Sequence, residues 1–374
     1  MSLVNQEQSK RLLSVHGWSG TELGAVLYVV ILTGTIVVFA SEIGRWSAGG
    51  APTVSAFDRP VDATLRALAA DVDPTHMDEM FLYAESSVNL IVNIHAHRAD
   101  EETGAIVEEG TIFTLDPKDF SVIDRYDGVL ADSPVKEDNA FGDFLVSVHV
   151  NLYAPFPYGL YATGLLGFVM LIAVISGIIL HKHIIKDLFV RPRWSSLLLN
   201  RRDRHILAGS WSLPFGFLLA FTGTFYSFAT SIGLPVVAMT AFGGDQEAVI
   251  EAIVASPMEP DETPMPMADI DAMIALSTEN ARGVLPLSMS VSHWGRADAY
   301  VSFFHEADAA SLTGAPHALK GATGEYLGPR PLIGSEPSAA SSVAGLMAPL
   351  HFGNFGGLLS KIVWFSLGLA LSYV

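Results

Sequence analysis

Four long apolar runs limit what this chain can fold into. They cover Leu23–Ser41, Tyr158–Leu180, Ile206–Ile232 and Gly356–Val374, and Lys361 is the one charged residue in all four. A helix needs about 20 apolar residues to cross the hydrocarbon of a bilayer, and ions in such a segment are costly. The runs therefore predict four transmembrane helices. Only 16% of the 374 residues are charged, against about 25% in an ordinary soluble domain. The first run is longer than the apolar region of a signal peptide, about 7–15 residues, which favours a span over a cleaved leader. The fourth ends at the last residue, so the C-terminal span is expected to be short or truncated.

Charge bias predicts the orientation. The loop 181–204 carries seven basic residues, Lys182, Lys186, Arg191, Arg193, Arg201, Arg202 and Arg204, whereas the long loops 44–157 and 233–355 are acidic. Basic short loops stay on the cytoplasmic side. Both termini are then expected to be cytoplasmic, and both long loops to lie outside, in a periplasm or its equivalent. The net charge of −18 excludes a nucleic-acid partner, which requires a basic footprint. With no cysteine, thiolate metal sites, iron–sulfur clusters and covalently attached haem are excluded.

The chain repeats itself. His16 stands 17 residues before Thr33-Gly34-Thr35, and His205 stands 17 before Thr222-Gly223-Thr224. His149 leads into the second span as His351 leads into the fourth. The long loops match as well. A helix opened at Pro60-Val61-Asp62 is followed by strand-like alternation at 90–97, 111–115 and 121–125. Another opened at Pro266-Met267-Ala268-Asp269 is followed by alternation at 286–292 and 299–305 and by a turn at 323–326. The expected architecture is a four-helix transmembrane bundle built as a parallel internal repeat, with two α+β extracytoplasmic domains. Its parts are 1–43 (N-terminus and first span), 44–157 (first outer domain), 158–232 (second and third spans with the basic loop), 233–355 (second outer domain) and 356–374 (fourth span).

A parallel repeat relates its halves by an axis along the membrane normal. That axis sets His16 opposite His205 near the inner surface and His149 opposite His351 near the outer one. Two facing imidazoles are what a six-coordinate b-type haem requires, and bundles build cofactor sites from facing helices. Two haems are expected, with iron held by His16, His205, His149 and His351. Gly17, Gly20, Gly24, Ala208 and Gly209 would leave room for a flat ligand, and Arg11, Arg201, Arg202 and Arg204 could pair with its propionates. His181 and His183 are alternative inner ligands. His95, His97, His293, His305 and His317 read mostly as exposed strand or turn residues of the outer domains, with a metal or substrate role as the alternative.

The His-x-Trp segment at 16–18, the Thr-Gly core and the run Leu350-His351-Phe352-Gly353-Asn354-Phe355-Gly356-Gly357 resemble the PepSY-associated transmembrane family, across nearly the whole chain. That family includes ferric-siderophore reductases of the bacterial inner membrane. The resemblance implies outer domains of PepSY type, haem b, a role in iron acquisition and ligation through His16, His149, His205 and His351. The expected function is electron transfer through two b-type haems to an outer acceptor, Fe(III) in a siderophore. The acceptor is expected in a cleft between the outer domains, among Phe141, Tyr153, Phe352 and Phe355. The chain has no dinucleotide-binding glycine pattern, so a quinol or a cytoplasmic reductase would be the donor. Two other readings stand beside this one: a membrane-anchored PepSY-type regulator or peptidase inhibitor without enzymatic activity, and a small permease.

Overall fold

The computed structural model describes residues 5–374 except 48–54, 86–88, 100–105, 134–139, 307–311 and positions 156, 182, 190, 255, 313, 332 and 335. Lys182 of the basic loop lies outside the described residues. Two units emerge: a helical one from 1–40, 142–249 and 346–374, and a sheet unit from 41–141 and 250–345.

In the helical unit, Asn5 and Gln8 form a reciprocal capping box that starts the helix Gln6–Glu22. A 68° bend at Leu23 separates it from Gly24–Val37. Tyr158–Leu180 is one continuous apolar helix, with the bounds expected from sequence. Leu197–Phe228 runs 32 residues, includes Pro214, and passes through a π-helical turn, Ala229–Gly233, into Leu234–Ala241. Ala339–Phe352 and Gly357–Tyr373 meet at a 73° break. Two helices are long and apolar enough to cross a membrane, and four spans result if each bent pair is one. Tyr158–Leu180 packs on Gln6–Glu22 and on Leu197–Phe228, while Gly357–Tyr373 packs on Gly24–Val37 and on Leu197–Phe228.

The break before Gly357 is written in the Leu350–Gly357 run. Gly353 has φ +67° and Gly357 φ +58°, a region that glycine enters without steric cost. The Gly353 N–H donates to Pro349 O, Ser360 Oγ donates to Gly353 O at 2.7 Å, and Trp364 Nε1 donates to Leu350 O at 2.9 Å. The freed backbone groups are thus satisfied internally, as an apolar setting demands.

The sheet unit holds eight antiparallel strands in the order β4-β3-β2-β1-β5-β6-β7-β8. They are β1 Glu79–Glu85, β2 Asn89–Ala99, β3 Ile106–Leu115, β4 Val122–Val129, β5 Pro286–Ser292, β6 Tyr300–His305, β7 His317–Lys320 and β8 Tyr326–Pro329. The two long loops, expected to be two domains with a cleft between them, instead share one sheet. β1 of the first pairs with β5 of the second, Leu82 opposite Met289. An edge strand leaves a row of unpaired N–H and C=O groups, and joining the two edges satisfies both. One face carries the core, including Met80, Leu82, Leu90, Val92, Ile94, Phe113, Met289, Val291, Val301 and Phe303. Each such side chain contributes about 1.5–3 kcal/mol on burial.

Helices Asp62–Ala70 and Ile270–Asn280 send Leu65, Leu68, Ile270, Met273 and Ile274 into the same core. The helices cap each other. Val61 precedes the first helix without a side-chain oxygen, and Asp271 of the second accepts from the Val61 N–H at 2.7 Å. In return Asp62 accepts from the Ile270 N–H at 3.0 Å. Arg66 donates to Asp62 at 2.7 and 2.9 Å and to the carbonyls of Met267 and Ala268.

Candidate functional site: two histidine pairs

The last threonine of each Thr-Gly-Thr motif has a packing role. Thr35 sits against Gly368, and its repeat mate Thr224 sits against Gly167; a Cβ on either glycine would collide with the threonine hydroxyl. The middle glycines make room for histidines. A Cβ on Gly34 would stand 2.5 Å from His149 Cε1, and one on Gly223 would stand 3.5 Å from His351 Cε1.

The expected pairs are brought together. His16 and His205 have ring centroids 6.0 Å apart at 83°, and His149 and His351 have centroids 6.1 Å apart at 36°. Every one of these rings uses Nδ1 in a hydrogen bond. The acceptors are Ala173 O for His16 (3.0 Å), Val374 O for His205 (3.2 Å) and Val30 O for His149 (2.8 Å). A carbonyl can only accept, so Nδ1 carries the proton in these three. His351 Nδ1 lies 2.8 Å from Thr222 Oγ1, whose own hydrogen goes to Leu218 O at 2.8 Å. Thr222 therefore accepts as well. In a neutral imidazole with a protonated Nδ1, Nε2 keeps its lone pair. All four rings are thus fixed in the tautomer that binds metal through Nε2. Such an Nδ1 partner is the usual second contact of a ligating histidine.

Two cavities adjoin the pairs. One of about 490 Å³ is lined by Val30, Gly34, His149, Gly223, Tyr226 and His351 among others. A second, about 1070 Å³, is lined by His16, Gly20, Gly24, Gly177, Gly209 and His205, and also by His181 and His183. Cofactor pockets span roughly 300–1,000 Å³, so both are of that size. Arg202 lines the larger cavity. Arg11, by contrast, pairs with Glu7 at 2.6 Å, and the Arg204 guanidinium lies 5.2 Å from the Trp194 ring centre. Phe352 lines the smaller cavity and stacks on Tyr226 at 6.0 Å. Phe355 packs edge-on against Trp364, and Tyr153 against Phe144.

Sequence reasoning missed Tyr226, whose ring lies 5.6 Å from that of His351, and Thr222 as a histidine partner. The equal 17-residue spacing to both threonine motifs was the available signal for Thr222.

Apolar helices of membrane-crossing length together with an antiparallel sheet unit define a membrane protein. The family model of the PepSY-associated TM region matches residues 13–374, and the chain belongs to that family. An uncharacterized protein of Pseudomonas aeruginosa, PA4219, is 30% identical over 156 residues, 41% of this chain and 39% of that protein. The matched part thus spans well under half of the relative's length.

Proposed function

We propose that the protein is a di-haem b-type electron-transfer protein of the bacterial inner membrane, with both termini cytoplasmic, that reduces an acceptor on the outer side. A four-helix bundle, with each bent helix pair acting as one span, would hold the two haems. Fe(III) in a siderophore is the proposed acceptor, and a quinol or a cytoplasmic reductase the donor.

The fit of the residues to haem rests on the histidine pairs. Imidazoles facing each other with ring centres about 6 Å apart leave room between them for one metal ion that both would hold. The His16–His205 and His149–His351 pairs stand at 6.0 and 6.1 Å. His149 and His351 would hold one haem and His16 and His205 the other, with Arg202 placed for a propionate of the latter. When bound, haem supplies one-electron redox chemistry at iron. The chain supplies the rest: the Val30, Ala173 and Val374 carbonyls and Thr222 orient the imidazoles, and a mainly apolar lining surrounds His149 and His351.

Absorption spectroscopy of the purified protein tests the reading. The expected result is a six-coordinate low-spin b-type spectrum with two haems per chain. A colourless preparation from haem-replete cells would remove the assignment and favour a membrane-anchored regulator. His149→Ala and His351→Ala should lose the same single haem, and His16→Ala and His205→Ala the other. Should His205→Ala keep both while His181→Ala or His183→Ala loses one, the ligand of the larger cavity is His181 or His183. Stopped-flow oxidation of the reduced protein by a panel of ferric chelates tests the acceptor. No oxidation by any of them would end the reductase assignment alone.

A further inference from the structure

His95 is not the exposed strand residue that the sequence suggests, whereas its neighbour on the same face, His97, is exposed. They alternate on β2 with Ile94 and Ala96, so both lie on the sheet face opposite the core. His95 is only 3% exposed, and its Nδ1 is buried with no hydrogen-bond partner among the described residues. An unpaired buried polar atom costs about 1–3 kcal/mol, so a native sheet retains one for a reason.

The strand register supplies what surrounds it. Glu79 of β1 is the cross-strand partner of His95, and Glu108 of β3 is the partner of His97. The His95 Nε2 to Glu79 Oε2 distance is 3.8 Å, and His97 Nε2 to Glu108 Oε1 is 3.9 Å. Both are too long for hydrogen bonds. They are close to the spacing of two ligands on one ion, about 3.3 Å for tetrahedral bonds near 2.0–2.1 Å. One ligand atom each from Glu79, His95 and His97 lies within 4.8 Å of the others.

We propose that Glu79, His95 and His97, with the Glu108 carboxylate as a fourth ligand, form a binding site for a first-row divalent transition-metal ion. Two imidazoles with carboxylates select ions of the Zn2+ or Fe2+ type over Mg2+ and Ca2+, which take oxygen ligands. The site is closed on one side, where the Phe81 ring stacks on His95 at 5.9 Å. It is open on the other, since the His97 and Glu108 side chains are 49% and 54% exposed and can close about 1 Å onto an ion entering from solvent. Burial pushes the Glu79 carboxyl up and the His95 imidazole down. A bound cation would offset the cost of burying the Glu79 carboxylate. Gly110, opposite His95 on β3, is required there because a Cβ would run into the Ile94 carbonyl. The site is separate from the histidine pairs and does not depend on haem.

Equilibrium dialysis of the tag-free, chelator-treated full chain against Zn2+, read by elemental analysis, tests it. The wild type should retain one Zn2+ per chain that His97→Ala and Glu79→Gln bind at least tenfold more weakly, while His76→Ala, altered elsewhere in the same unit, binds as the wild type. His97 is half-exposed, so its replacement leaves the fold intact where loss of buried His95 need not. X-ray absorption at the zinc edge should show two imidazoles and oxygen. Unchanged binding in both His97→Ala and Glu79→Gln, or an all-oxygen shell, would overturn the proposal.

Discussion

Gly34 and Gly223 are equivalent in the repeat yet unequal in the room they leave. A methyl on Gly34 would meet the His149 ring at 2.5 Å, but one on Gly223 would clear His351 at 3.5 Å. Overpacking of this kind costs about 1–3 kcal/mol, and here the His149 imidazole must give way. Gly34→Ala is expected to lower the haem content from two per chain to one, while Gly223→Ala keeps both, as read by pyridine haemochrome analysis. Thr222 offers a milder test. Thr222→Val removes the oxygen that accepts from His351 Nδ1. Such partners are worth about 10–100-fold in ligand affinity, so the haem of the smaller cavity should be extracted faster by apomyoglobin while the other is unaffected.

Among the elements, the mutually capped helices of the sheet unit carry a pH dependence. Burial alone would raise the Asp62 carboxyl, but the hydrogen bonds from Arg66 and from the Ile270 N–H outweigh it and hold it below the ordinary value of 3.8. A depressed folded-state pKa stabilises above the unfolded value, and that stability is lost as pH falls through the folded one. The loss therefore falls in the acid range below pH 3.8. Asp62→Asn should destabilise the sheet unit at pH 7 by about 1 kcal/mol, the usual worth of a helix cap. It should also flatten the fall in melting temperature on acidification. Thermal denaturation followed by circular dichroism from pH 3 to 7 checks both; parallel curves for variant and wild type would remove Asp62 as the source.

At the scale of the whole molecule, two segments separated by about two hundred residues complete one sheet. Leu82 and Met289 face each other across the β1–β5 seam, 2% and 0% exposed. Truncating a buried aliphatic side chain costs about 2–5 kcal/mol. Because the seam belongs to both halves, Leu82→Ala should weaken them together. Hydrogen exchange should show protection falling in parallel in β2 and in β6. Loss confined to β1–β4 would mean that the halves fold as separate domains.

The sequence by itself determined what depends on local periodicity. Tyr158–Leu180 matches its apolar run and β5 its alternation; the equal His-to-Thr spacing set His16 against His205, and the places of His149 and His351 ahead of the second and fourth spans set those two together. Lipid-crossing helices and half-buried strands print their environment in the order of their residues. β1 was not legible, because Met80-Phe81-Leu82-Tyr83-Ala84 is apolar on both faces and shows no alternation. The helices Ala140–Asn151 and Ala339–Phe352, which carry His149 and His351, were equally hidden ahead of the longer apolar runs. Tertiary structure alone decided three things: that the two outer segments share a sheet, that each paired imidazole has Nδ1 taken by an oxygen of another helix, and that His95 is buried beside Glu79. The reason is common to all three. Strand register and side-chain hydrogen bonds between distant segments depend on which surfaces meet, and no local pattern of residues encodes that choice.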